Sequence, residues 1–151
     1  MPRGLRHQIL LDDGERKHES SHRMVTGLNH LTLSVAELER SVAFYSELLG
    51  FEVRMRGARS AYLEAGTLWL ALVQDDMTRV DALPEYSHAA FHVVEGELSV
   101  AKERLIRAGV RRWQEAERRD SFYFLDPDGH KLELHSGDLR SRLMANCGDE
   151  K

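Results

Sequence analysis

The 151-residue sequence contains one cysteine, three prolines and no long apolar run. The single cysteine, Cys147, cannot form a disulfide within the chain, which is typical of a protein from a reducing cytoplasm. No apolar segment approaches the roughly 20 residues that a transmembrane helix requires, so we do not expect a membrane protein. The formal net charge is −4, which offers no excess of basic residues for nucleic acid or for an anionic membrane.

The composition is that of one globular domain, with 42% hydrophobic and 30% charged residues. Residues 1–23 are highly charged and contain only the brief apolar stretch "ILL". We interpret them as a flexible N-terminal extension. The domain is expected over residues 24–143, and residues 144–151 are expected to form a C-terminal tail.

The domain consists of two similar halves. In the first, the strand "NHLTLSV" precedes a helix that ends at Gly50 and the strands "SAYLEAG" and "TLWLALV". In the second, "SHAAFHV" precedes a helix that ends at Gly109 and the predicted strands "VRRWQ", "SFYFLD" and "HKLELH". The opening histidines, His30 and His88, are 58 residues apart. The pattern predicts an α+β fold of duplicated βαβββ modules, over about residues 27–74 and 86–137.

One helix in each half can cover only one face of its sheet, and the other face is rich in polar and aromatic residues. His30 and His88 occupy equivalent positions on this face, and Glu133 is a carboxylate in an otherwise apolar strand. Two imidazoles and one carboxylate suit a divalent ion such as Mn, Fe, Co, Ni or Zn, and three protein ligands leave positions for a substrate. His92 and His135 lie on the same faces and compete as ligands or as hydrogen-bonding partners of the ligands.

Four segments carry a resemblance to a known family: "GLNHLTLSV", "AYLEAGTLWLAL", "SHAAF" and "SFYFLDPDGHKLELHSGDLRSRL". They resemble the vicinal-oxygen-chelate superfamily and, within it, the fosfomycin-resistance thiol transferases, over roughly residues 25–143. The resemblance implies a cytoplasmic homodimer in which each metal site is built from both subunits. It implies Mn(II) as the metal, held by His30, His88 and Glu133, with fosfomycin as substrate and glutathione as the thiol that opens its epoxide.

The resemblance also implies roles for further residues. Thr32 would hydrogen-bond near the epoxide oxygen, Tyr62 would lie near the attacking thiol, and Trp69 would line the pocket. Ser121, Tyr123 and Arg142 match the set that binds the phosphonate, for which the planar guanidinium of an arginine is well suited.

The sequence departs from the glutathione-using branch after Trp113. That branch has a lysine next, followed by a loop that holds potassium, whereas this chain has Gln114 and a shorter "EAERRD" loop. We therefore expect little activation by potassium. Arg119, or else Arg118, is expected to supply the missing positive charge, as in the bacillithiol-using branch, which shares the pattern seen here as "VRMRGAR".

Alternative functions follow from the same residues. The attacking group could be bacillithiol, cysteine or water, and Glu64, which has the parity of Tyr62, could serve as a base for water. A glyoxalase-type isomerase would need a second carboxylate from the first half, and a ring-cleaving dioxygenase is usually a much longer chain. A drug-binding protein without catalysis would be expected to lack the three metal ligands, so metal content would distinguish it.

Overall fold

The computed structural model describes residues 24–115 and 118–147 of the chain. The predicted extension of residues 1–23 lies outside the described residues. The first half comprises β1 (His30–Val35), α1 (Leu38–Ala43) with a π-helical continuation (Phe44–Leu48), β2 (Glu52–Arg56), β3 (Ser60–Ala65) and β4 (Leu68–Gln74). The second half comprises β5 (Ala89–His92), α2 (Leu98–Arg107), β6 (Ser121–Leu125), β7 (Lys131–His135) and α3 (Leu139–Cys147).

Among the residues that the structure describes, the strands form two sheets, one in each half of the chain. The first sheet has the order β1-β4-β3-β2 and the second the order β5-β7-β6. In each sheet the opening strand runs parallel to its neighbour, and the remaining pairs are antiparallel. The α+β class predicted from the sequence is therefore confirmed.

The strand predicted at "VRRWQ" does not form, so this prediction is wrong. The Arg111 carbonyl accepts one backbone hydrogen bond from Leu125, at 2.9 Å, but no ladder continues from it. Instead, the indole Nε1 of Trp113 donates to the Leu132 carbonyl at 2.9 Å. Leu132 lies on β7, the middle strand, so Trp113 reaches the sheet through its side chain and does not extend the β6 edge; the described residues of the second sheet form three strands.

The core lies on the faces of the sheets that the helices cover. Alternate residues of β3 and β4, including Leu63, Leu70 and Leu72, are fully buried. They pack in one cluster with aromatic residues such as Phe122 and Phe124 from β6. The opposite face of the first sheet remains open, as the alternation in the sequence predicts.

The turn between β6 and β7 joins the two halves through two buried aspartates. We call this set of contacts the turn network. The side chain of Asp128 is 2% exposed, and its Oδ1 accepts from Arg40 Nη2 at 2.7 Å and from the Ala36 amide at 3.1 Å. Its Oδ2 accepts from the buried Ser41 hydroxyl at 3.3 Å. The turn is thereby held against the end of β1 and the start of α1.

Asp126 forms the inner part of the turn network. Its Oδ2 accepts from the Tyr45 hydroxyl at 2.7 Å and lies 2.8 Å from His130 Nδ1. Burial acts to raise the pKa of Asp126, but the hydrogen bond and charge of His130 and the Tyr45 hydroxyl outweigh it, and the pKa is lowered. Burial raises the pKa of Tyr45 well above its ordinary value, with a further contribution from Asp126. Both effects favour an ionised aspartate beside a neutral phenol.

The C-terminal helix α3 was not predicted. The proposed tail begins at residue 144, but the helix extends through this position to Cys147. Asp138 precedes the helix, and its Oδ1 accepts from the Ser141 amide at 2.7 Å, which is a typical N-terminal cap. Within residues 24–115 and 118–147, no helix has the length and apolar character needed to cross a bilayer.

Candidate metal centre

His88 and Glu133 form the centre of the candidate site in the second half. Glu133 lies in β7, opposite Ala90 of β5 and Tyr123 of β6. His88 immediately precedes β5, and its Nε2 lies 2.9 Å from Glu133 Oε2. The Glu133 side chain is 7% exposed and that of His88 22%. Two of the three predicted ligands are thus adjacent and largely withdrawn from solvent.

The second carboxylate oxygen of Glu133 lacks a hydrogen-bond partner among the described residues. His135 Nδ1 lies 3.4 Å from this Oε1, but it is 2.9 Å from the Ser121 hydroxyl, which is its hydrogen-bonding partner. A buried carboxylate oxygen without a partner is costly, and a divalent cation would satisfy it. One imidazole and one carboxylate also suit such an ion chemically, so the residues present fit a metal.

An aromatic wall surrounds His88. The ring of Trp113 lies 5.2 Å from that of His88 and 5.1 Å from that of Tyr123, and Tyr86 lies 5.5 Å from His88. Neither Trp113 nor Tyr86 was predicted from the sequence to line the site. Because "VRRWQ" was assigned to a strand, the packing of the Trp113 side chain against His88 and Tyr123 was not expected.

His30 lies in the first sheet with three other candidate residues. Its ring is 4.5 Å from that of Trp69, and Trp69 is 5.2 Å from Tyr62 in an edge-to-face contact. Thr32 is paired with Ala71, which is paired in turn with Tyr62, so these residues share one open face. The proposed catalytic and pocket-lining residues of the first half are therefore neighbours.

The structure does not bring His30 to His88 and Glu133 within one chain. Over residues 24–115 and 118–147, no group of three or more His, Cys, Asp or Glu side chains is arranged to hold a metal. His30 Nδ1 instead lies 2.7 Å from Asn29 Oδ1. The three candidate ligands therefore lie in two separate places, and their assignment to one metal stays a prediction.

The predicted phosphonate-binding residues occupy three different elements. Ser121 and Tyr123 lie in β6, where both are buried on the strand next to Glu133. Arg119 is exposed in the turn that precedes β6, and Arg142 is half-buried on α3. Ser121 and Tyr123 are thus placed beside the His88–Glu133 pair, whereas the two arginines lie at the ends of adjoining elements.

Comparisons with known proteins identify the family of the chain. The family model described as "Glyoxalase/Bleomycin resistance protein/Dioxygenase superfamily" matches residues 27–134. The chain is 46% identical over 125 residues to the glutathione transferase FosA of Serratia marcescens, covering 81% of this chain and 89% of that protein. It is 40% identical over 124 residues to the metallothiol transferase FosB of Lysinibacillus sphaericus, covering 79% and 88%.

Solved structures of fosfomycin resistance proteins have the same fold. The FosX protein of Listeria monocytogenes superimposes with a TM-score of 0.69 at 29% identity, covering 81% of this chain and 99% of that one. A glutamate-to-glutamine variant of that FosX, complexed with Mn(II) and 1S,2S-dihydroxypropylphosphonic acid, gives a TM-score of 0.67 at 29% identity, covering 80% and 99%. The chain therefore belongs to the glyoxalase/bleomycin resistance protein/dioxygenase superfamily and, within it, to the fosfomycin resistance family.

Proposed function

We propose that the protein is a metal-dependent thiol transferase that opens the epoxide of fosfomycin by adding glutathione, and thereby confers resistance. The observation that carries the proposal is the contact of His88 with the buried Glu133, whose Oε1 lacks a partner among the described residues. Ser121 and Tyr123 lie on the neighbouring strand β6. The 46% identity to a glutathione transferase supports glutathione as the thiol. A cytoplasmic location follows from the chemistry, because thiol co-substrates are kept reduced there.

The proposed metal site uses His88 and Glu133 of one chain and His30 of a second copy. We propose Mn(II), as in the FosX complex. When bound, the ion supplies a Lewis acid that stabilises negative charge on the epoxide oxygen. The unpartnered Oε1 of Glu133 and the position of His88 at the entrance to β5 support this assignment.

The remaining residues bind and orient the two substrates. Thr32 donates a hydrogen bond towards the epoxide oxygen, and Tyr62 lies beside the incoming thiol. Trp69 lines the pocket between them. The phosphonate is bound by the hydroxyls of Ser121 and Tyr123 and by the guanidinium groups of Arg119 and Arg142, because charge-assisted hydrogen bonds to phosphonate oxygens are strong.

Thiol addition is preferred over hydration because of the surroundings of Glu64. This residue is the candidate base for water, but its Oε2 accepts a hydrogen bond of 2.5 Å from Arg54 Nε. This contact directs the carboxylate towards β2, on the side of β3 opposite to β4 and β1, and so away from His30. A glyoxalase activity is also disfavoured, because the positions opposite His30 and Thr32 in β4 are Trp69 and Ala71, neither of which can ligate a metal as a carboxylate does.

A second candidate thiol is supported by the comparison with FosB at 40% identity and by Gln114 in place of a lysine. Bacillithiol or cysteine would then be the better co-substrate. Purified protein loaded with Mn(II) should be incubated with fosfomycin and glutathione, bacillithiol, cysteine or no thiol, and the products identified by phosphorus NMR and mass spectrometry. We expect the glutathione adduct to form fastest.

The control for this experiment is the same glutamate-to-glutamine substitution at an exposed position. Glu133→Gln should abolish product formation, whereas Glu103→Gln on α2, which lies in an exposed ion pair, should leave it unchanged. If the diol is the only product, the reaction is hydration and not thiol transfer. Fosfomycin recovered unchanged under every condition would overturn the proposed function.

A further inference from the structure

The outer edge of the first sheet carries a charged triplet, formed by Arg54, Glu52 and Glu64. Arg54 Nε donates to Glu64 Oε2 at 2.5 Å, and Arg54 Nη1 donates to Glu52 Oε1 at 2.8 Å. The side chains remain 56% exposed for Arg54, 65% for Glu52 and 42% for Glu64. The strand register between β2 and β3 shifts at Arg54, between Val53 and Met55. A bulge of this kind redirects a side chain, here towards both carboxylates.

The triplet lies on the same face of the sheet as the candidate catalytic residues. The register places His30 opposite Trp69, Trp69 opposite Glu64, and Glu64 opposite Glu52, in one row across four strands. Neighbouring strands are about 4.8 Å apart, so Glu64 lies roughly 10 Å from the His30 position. Tyr62 is two residues from Glu64 on β3, or about 7 Å along the strand. The row therefore has a predicted metal ligand at one end and the charged triplet at the other.

The hydrogen-bonding capacity of the triplet is only partly used within the described residues. A guanidinium has five N–H donors, and the two ion pairs engage one on Nε and one on Nη1. Three donors remain for an incoming carboxylate. Glu64 Oε1 and Glu52 Oε2 likewise remain available for an ammonium group. One cation between two anions is thus complementary to an α-amino acid, which carries one charge of each sign.

We propose that Arg54, Glu52 and Glu64 bind the α-ammonium and α-carboxylate groups of the thiol co-substrate and so determine which thiol is used. The inference rests on the proposed function and deepens it. An extended chain spans about 3.3–3.6 Å per residue, so the ~7 Å between Tyr62 and Glu64 corresponds to roughly two residues. The site therefore fits a thiol whose zwitterionic end is one amino acid removed from its sulfur, as in a γ-glutamyl-cysteinyl peptide, rather than free cysteine.

A purely structural role for the triplet gives a different result. Exposed ion pairs contribute about 0–1 kcal/mol to stability, and removing one leaves substrate binding unchanged. The chain contains a matched control in Arg107, whose Nη2 lies 3.0 Å from Glu103 Oε2 on the exposed side of α2. Arg54→Ala removes an arginine from two exposed ion pairs and Arg107→Ala from one, but only the first removes it from the face of the candidate site.

The kinetic test compares charged and uncharged thiols. With glutathione, Arg54→Ala should raise the KM for the thiol at least tenfold and leave the KM for fosfomycin within twofold, while Arg107→Ala should change neither. With 2-mercaptoethanol, which lacks both charges, Arg54→Ala should behave as the wild type. An unchanged KM for glutathione would overturn the inference, as would an equal loss with 2-mercaptoethanol.

A binding measurement separates this inference from the proposed function. S-methylglutathione keeps the zwitterionic end but cannot react, so its affinity for the Mn(II)-loaded protein can be measured by calorimetry without turnover. We expect Arg54→Ala to weaken its binding at least tenfold and Arg107→Ala to leave it unchanged. Equal affinities for wild type and Arg54→Ala would refute the site. If the wild type opens no fosfomycin but binds S-methylglutathione through Arg54, the thiol site stands and the reaction must be reassigned.

Discussion

Replacing Asp128 by alanine should destabilise the protein more than any comparable change at an exposed aspartate. The side chain is 2% exposed and accepts from the Ala36 amide, the Arg40 guanidinium and the Ser41 hydroxyl. Ser41 is fully buried, so its hydroxyl would lose its partner without gaining water. The change therefore removes three contacts between the first half of the chain and the turn of the second, while the hydrogen bond from Tyr45 to Asp126 remains.

The magnitude follows from these three contacts. All three hydrogen bonds accept at the Asp128 carboxylate, and a hydrogen bond to a charged group contributes about 1.5–3 kcal/mol. Arg40 remains 42% exposed and would be rehydrated, so its ion pair belongs at or below the lower end of that range. We expect a loss of about 3–5 kcal/mol in the free energy of unfolding, which for a chain of this size corresponds to roughly 6–20 °C in Tm.

Urea denaturation monitored by tryptophan fluorescence would measure this loss. The matched control is Asp76→Ala, since Asp76 is 87% exposed and 3.3 Å from Arg59, and its loss should stay within about 1 kcal/mol. Asp128→Asn keeps one acceptor oxygen and should fall between the two. If Asp128→Ala and Asp76→Ala shift the urea midpoint equally at unchanged m, the turn network does not hold the halves together.

Three further predictions concern the metal, the phosphonate and pH. Alanine at His88 or Glu133 should reduce the bound Mn(II) measured by mass spectrometry, and unchanged stoichiometry in either variant would refute the assignment. Arg119→Ala should mainly raise the KM for fosfomycin and thereby lower kcat/KM by about ten- to 150-fold, which is the effect of losing one charge-assisted contact. Potassium should have little effect on turnover. If replacing Arg119 changes kcat/KM by less than twofold, or if potassium activates strongly, this role is excluded. The pKa of Asp126 is lower in the folded than in the unfolded chain, where it is near 4. Its stabilising contribution is therefore present above the unfolded-state pKa and is lost as pH falls through the folded-state pKa. Asp126→Asn should flatten the dependence of the free energy of unfolding on pH below about pH 4.

Alternation and glycine positions made much of the fold predictable. Gly50 and Gly109 adopt φ angles of 77° and 72° at the helix ends, which favour glycine, as their positions in the sequence indicated. The placement of Glu133 beside His88 followed from strand parity. The prediction of a strand at 110–114 was wrong, because Trp113 is apolar for its side-chain packing and not as part of a strand. The partners of Asp128 could not be found by local patterns, since they lie about 90 residues earlier in the chain.

The position of His30 bears on how a complete site could form. Leu31 and Phe91 line a cavity between the two halves, and His88 lines it as well, whereas His30 is not among its lining residues. In the proposed function, His30 of a second copy of the chain would complete the site of His88 and Glu133. We therefore predict that His30→Ala and Glu133→Ala chains, each inactive alone, complement each other. A mixed dimer has one site with both substitutions and one intact site; random exchange makes half of all dimers mixed, so activity should recover to about a quarter of the wild-type value. Subunit exchange would be verified by mass spectrometry of tagged chains, and verified mixed dimers without activity would show that each chain must complete its own site.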